Sequence, residues 1–253
     1  MSTGFRGPLL YSNLDVPFNG IPLNIAQCLN RTVSGIAVGG GTPYLGPAAA
    51  ATENGWVLTD SAGAGTITLD TTGRLVITTH TGDEAYHGLQ YTQRPFIYST
   101  TRNISCFARL KLSDVDKTDA AFGLIASDTS ILGAGAEAAA ESIMFYKEAV
   151  ATDWTATVQT GDTATTAVTG LTLADDTYSV IGFTVIAGAI RWFAKSDSGN
   201  QVTTSPGFLG TGTAIANTNV PTGNVVFSFA VGQEGGTTAR VMTVDWSFCC
   251  QWD

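Results

Sequence analysis

NISCFARLKLSDVDKTDAAFG, residues 103–123, decides how the rest of this chain reads. Ile104, Cys106, Ala108 and Leu110 recur at every second position, the period of a half-buried β-strand. An acidic turn carrying Asp114, Asp116 and Asp119 follows, and a second strand opens at Ala120. RVMTVDWSFCCQW, residues 240–252, has the same period and places Met242, Val244, Trp246, Phe248 and Cys250 on one side.

Outward from these two stretches, strand signals fall at 56–59, 65–70, 74–79, 88–92, 96–99, 121–127, 142–147, 154–159, 167–172, 178–186, 189–195 and 224–231. Turn residues such as Asp70 to Gly73 separate them. YSVIGFTVI, 178–186, is apolar on both faces and predicts an interior strand. Many strands without crossover helices predict an all-β sandwich of two antiparallel sheets over residues 53–253. The Ala-rich GAGAEAAAES, 133–142, is too short for a helical layer and reads as a loop with one helical turn.

Residues 1–52 differ. They hold Pro8, Pro17, Pro22, Pro43 and Pro47, five of the eight prolines, which bars a long central strand. Yet Phe5, Leu9, Leu10, Tyr11, Leu14, Val16, Phe18, Ile21 and Leu23 are too apolar for a solvated tail. An extended arm lying on a partner's surface satisfies both facts, with a short helix near 23–30 and a hinge at Gly39 to Gly41.

Composition narrows the functions. Hydrophobic residues make up 44%, enough for a core, whereas charged residues make up only 13%, which fits a surface packed against neighbours. A net charge of -9 and scattered basic residues argue against nucleic acid and anionic membranes as partners. No apolar run is long enough for a membrane-spanning helix, and MSTGFRGPLLYS lacks a secretory pattern, so synthesis in a cytoplasm is expected. Cys28, Cys106, Cys249 and Cys250 are then expected as thiols, with Cys106 and Cys250 facing inward.

Reactive groups do not converge in the sequence. Glu141 and Glu148 are lone acids without the spacing of a glycosidase pair. His80 and His87, with Asp83 and Glu84, match no closed metal site and read as a polar hairpin turn. Asp114, Asp116 and Asp119 offer oxygen ligands for calcium, but the turn lacks the glycine and bidentate Glu of a calcium loop, so a solvated turn is expected. Of the tryptophans, Trp192 and Trp246 are expected in the core and Trp252 at the surface, where a sugar could stack. No catalytic residue, metal or cofactor is expected, and the chain reads as a non-enzyme.

The residues also resemble a family. Phe107 to Asp114 (FARLKLSD), Phe122 to Leu124 (FGL) and Val244 to Trp246 (VDW) resemble strands of the concanavalin-like jelly rolls in tailed-bacteriophage virions, particularly capsid decoration (cement) proteins. The likeness covers roughly residues 54–253. It implies a virion structural protein on the capsid exterior that binds the major capsid protein and bridges neighbouring capsomers. It also implies a homo-oligomer, with trimers common in such proteins. The alternative is a lectin-like carbohydrate-binding module on a phage head or tail fibre.

Overall fold

The computed structural model describes residues 56–60, 65–71, 74–82, 86–127, 131–132, 141–161, 163–198, 201–202, 207–208 and 218–252. The expected arm at 1–52, the short helix within it, and residues 133–140 of the Ala-rich loop lie outside them. One sheet has seven strands in the order β1 (Trp56–Asp60), β4 (Tyr86–Ile97), β14 (Asn224–Gln233), β6 (Thr118–Ala126), β7 (Glu141–Lys147), β8 (Asp153–Thr160) and β9 (Thr163–Thr172). The second runs β12 (Gln201–Val202), β11 (Ala189–Ser198), β10 (Tyr178–Ile186), β5 (Asn103–Leu112), β15 (Val241–Trp252), β3 (Leu75–Thr78) and β2 (Thr66–Leu69), with β13 (Gly207–Phe208) also on β11. The strand pairs are antiparallel, as the period-two pattern requires.

The facing sides of the two sheets make one core. Ile104, Cys106, Ala108, Leu110 and Leu112 of β5 meet Phe122, Leu124, Ile143, Phe145, Phe227 and Phe229 of the other sheet. Phe145 stands edge-on to Trp192 at 5.1 Å, and Phe183 lies 5.3 Å from the same indole, so aromatic packing bridges the layers. Trp154 is fully buried and donates its indole N–H to Ser179 Oγ in the opposite sheet at 3.3 Å. Each such side chain contributes about 1.5–3 kcal/mol through burial.

Gly123 lies against the backbone of β7, opposite Met144. Its φ is +152°, and a Cβ there would stand 2.5 Å from Ile143 O and 2.7 Å from Met144 Cα. The FGL stretch that carries the family resemblance therefore owes its glycine to backbone crowding.

Three expectations need correction. The segments 88–92 and 96–99 form one strand, β4, whose register slips opposite Val225 and Phe227. The slip lets the strand pass Pro95, which has no N–H for the ladder. In β15 a bulge at Asp245 inserts one residue opposite Leu110 and Arg109. Beyond it the side that faces the core changes: Met242 and Val244 are buried in the core, and so is Cys249, directly opposite Cys106. Trp246 is half-buried outside the core, and the side chains of Phe248 and Cys250 lie outside the described residues. Strict alternation through 240–252 was the wrong assumption. Finally, β6 begins at Thr118, before Ala120.

Candidate functional site

The turn between β5 and β6 is held by side chains from β7 and from other turns, and it is not a free solvated loop. Val115–Lys117 form a single 3₁₀ turn. Asp114 pairs with Arg240 at 2.8 Å, and Asp175 Oδ1 accepts from Val115 N at 2.6 Å. Asp119 Oδ1 accepts from Ala149 N at 2.7 Å, while Asp116 is exposed. The acids are thus divided among neighbouring turns, and three of them do not meet to grip one ion.

The cation in this turn is Lys147. Its strand, ESIMFYK, points Ile143, Phe145 and Lys147 inward, and the lysine is fully buried. Nζ donates to the carbonyl oxygen of Val115, to that of Thr118 at 3.0 Å, to Glu148 O at 2.9 Å and to Ala149 O at 3.4 Å. Burial pushes the Lys147 ammonium down to about 8, opposed first by Asp119 and then by Asp116, Asp114 and Asp175. Burial likewise raises the Asp119 carboxyl above its ordinary range, against the pull of the Ala149 N–H. Sequence reading missed this residue, although a lysine on the inward parity of an otherwise apolar strand was the signal for it.

The second candidate is the outer face of the seven-stranded sheet. Neighbouring strands bring Gln90, Ser228, Gly123, Met144 and Thr157 into one row, with Val226, Ile125, Ser142 and Gln159 in the next. Ile131 and Leu132 pack over Ala121, Ile125, Met144 and Ala230, and Tyr86 and Tyr146 pack against this cluster. Gln90 Nε2 donates to Ser228 Oγ at 3.1 Å. Ser142 Oγ, Thr157 Oγ1 and Gln159 Oε1 are buried on this face without a hydrogen-bond partner among the described residues.

Glu141 and Glu148 do not form a hydrolytic pair. Glu141 opens β7 and Glu148 follows it, so the seven-residue strand holds them about 20 Å apart, whereas glycosidase carboxyls stand about 5–9.5 Å apart. Glu141 instead accepts from Thr222 Oγ1 at 2.9 Å and from Gly223 N at 2.6 Å, closing the turn before β14.

The histidines part company. His80 Nδ1 accepts from Gly82 N at 2.6 Å in the turn, while His87 is fully buried within β4, so only the first is a turn residue. Asp83 and Glu84 lie outside the described residues, among which no three potential ligands gather for a metal.

Trp192 is in the core, as expected; Trp154 is there too, and Trp246 is not. The side chains of Trp56 and Trp252 lie outside the described residues. The proposed contact residues Phe5, Leu9, Leu10, Tyr11, Leu14, Val16, Phe18, Ile21 and Leu23 also lie outside them.

No known family profile and no curated protein matches the chain. Solved structures do. Arcelin-5, a lectin-like defense protein from Phaseolus vulgaris, aligns with a TM-score of 0.51 at 10% identity over 80% of this chain and 94% of its own. An endo-1,3-beta-glucanase from Streptomyces sioyaensis aligns with a TM-score of 0.50 at 14% identity over 82% and 93%. Peanut lectin aligns with a TM-score of 0.48 at 10% identity over 82% and 97%. At these identities the likeness establishes the fold alone: the chain is a concanavalin-like jelly-roll sandwich, an architecture found in both binding proteins and hydrolases.

Proposed function

We propose that this chain works by binding, as a capsid decoration protein that seats on the outer shell of a tailed phage and bridges neighbouring capsomers. The observation that carries a binding role is the dispersal of its acids. Glu141 closes a turn, Asp119 and Asp114 hold loops, and Glu148 stands a strand's length from Glu141. The low charge of the chain, 13%, and the apolar residues from Phe5 to Leu23 support a life packed against a partner. Repetition over a shell supplies avidity, which multiplies weak contacts by about 10² to 10⁴. Deleting residues 1–25 and measuring occupancy on expanded shells tests the proposal. Lost occupancy is expected, and undiminished binding would remove the arm as the anchor.

A second reading, a glycan-binding module on a phage head or tail fibre, draws on one specific feature. Ser142, Thr157 and Gln159 hold polar atoms without a hydrogen-bond partner among the described residues on one buried sheet face, which sugar hydroxyls would satisfy only where the cover of that face opens. The arcelin-5 alignment is to a lectin-like protein. Saturable saccharide binding lost in Gln159→Ala would favour this reading over the first.

A further inference from the structure

We propose that the Val115–Ala149 junction is a monovalent-cation cage that the protein fills with its own ammonium. Four backbone carbonyl oxygens, from Val115, Thr118, Glu148 and Ala149, converge on Lys147 Nζ. Val115 lies in the turn after β5, Thr118 opens β6, and Glu148 and Ala149 follow β7, so the bound positive charge joins the start of β6 to the turns on either side. An ammonium has three donors for these four acceptors, so one hydrogen is shared, as in the coordination of a spherical ion.

Nothing else described supplies positive charge at this point. Arg240 is engaged with Asp114, and Lys117 reaches outward to Gly235 O at 3.5 Å. Asp119, with its carboxylate on Ala149 N, and the further acids Asp114, Asp116, Glu148, Asp175 and Glu234 around the junction set a negative field that offsets part of the ammonium's desolvation. Carbonyl oxygens without an N–H donor at their centre would be buried and unsatisfied, which is costly.

Two consequences follow. In the natural protein the junction needs no dissolved ion, so chelators and added potassium or calcium leave its stability unchanged. In Lys147→Ala the cage becomes a site for a free primary ammonium, and n-propylammonium has the length of the deleted side chain.

The test is thermal unfolding of wild type and Lys147→Ala at constant ionic strength, with n-propylammonium, potassium or tetramethylammonium chloride. The variant's Tm is expected to fall by about 6–12 °C for a chain of this size. Propylammonium should then restore it saturably, as ligand linkage requires, while tetramethylammonium, which has no N–H, should not. Equal effects of the two salts, or no rescue by either, overturn the cage.

Should the variant fail to fold, the wild type alone still decides. One of the four lysine ammonium groups should give a nitrogen-15 resonance whose protons exchange slowly with water. Four fast-exchanging ammonium groups, or a saturable gain in wild-type Tm from potassium or calcium, would overturn the proposal equally.

Discussion

Replacing Gly123 by alanine separates two costs that usually arrive together. At φ +152° an alanine carries backbone strain of about 1–3 kcal/mol. Its Cβ would also press on Ile143 O at 2.5 Å and on Met144 Cα at 2.7 Å, both backbone atoms of a central strand that cannot swing aside. Overpacking of this kind adds about 1–3 kcal/mol, for a total of about 2–6 kcal/mol. Gly161 is the matched control: its φ is +56°, and nothing lies within 4 Å of the added carbon. Gly161→Ala therefore carries strain alone, about 1–2 kcal/mol. Urea unfolding followed by fluorescence of the buried Trp154 and Trp192 reads both variants, provided the slope m is unchanged. The midpoint of Gly123→Ala should fall well below that of Gly161→Ala. Equal losses for the two variants would refute the crowding argument and leave strain as the whole effect.

Lys147 titrates at about 8 in the folded protein against 10.5 ordinarily, so between those pH values the unfolded chain holds a proton that the native one has released. Stability should therefore rise with pH across that window, with the full penalty present below about pH 8. Urea midpoints of wild type should gain more between these limits than those of Lys147→Met. Asp245→Ala removes the 2.5 Å ion pair with Arg109, both groups being partly solvated, and should cost about 0.5–1.5 kcal/mol in the same assay. Trp154→Phe deletes the N–H bonded to Ser179 Oγ across the layers and leaves a gap; a loss of about 1–3 kcal/mol is expected, and a neutral result would mean that the layers can close around the smaller ring. The thiols of Cys106 and Cys249, both buried, should react with a thiol reagent only at the rate of global opening, measured by mass spectrometry after short labelling.

Much of the framework was legible in the residues. Period-two runs such as Ile104 to Leu110 located the central strands because one side of each faces a core and the other does not. Where the period breaks, reading failed. The bulge at Asp245 leaves no local mark in TVDWSF, and the contacts made there come from across the ladder, where the Arg109 guanidinium pairs with the Asp245 carboxylate and rests 3.8 Å above the Tyr178 ring. The acidic turn was read as solvated because Arg240 and Lys147, which answer it, are distant in sequence. Short pieces such as β12 and β13 carry too few residues for any periodic signal.

The sheet order carries a consequence for how this body is made. β14 lies between β4 and β6 in one layer, and β15 between β5 and β3 in the other. Until residues 224–252 leave the ribosome, each layer is two unjoined halves with raw inner edges. Assembly is thus held back until nearly the whole described chain has been translated, and a ribosome that stalls before residue 224 releases sticky fragments for proteases and chaperones to clear.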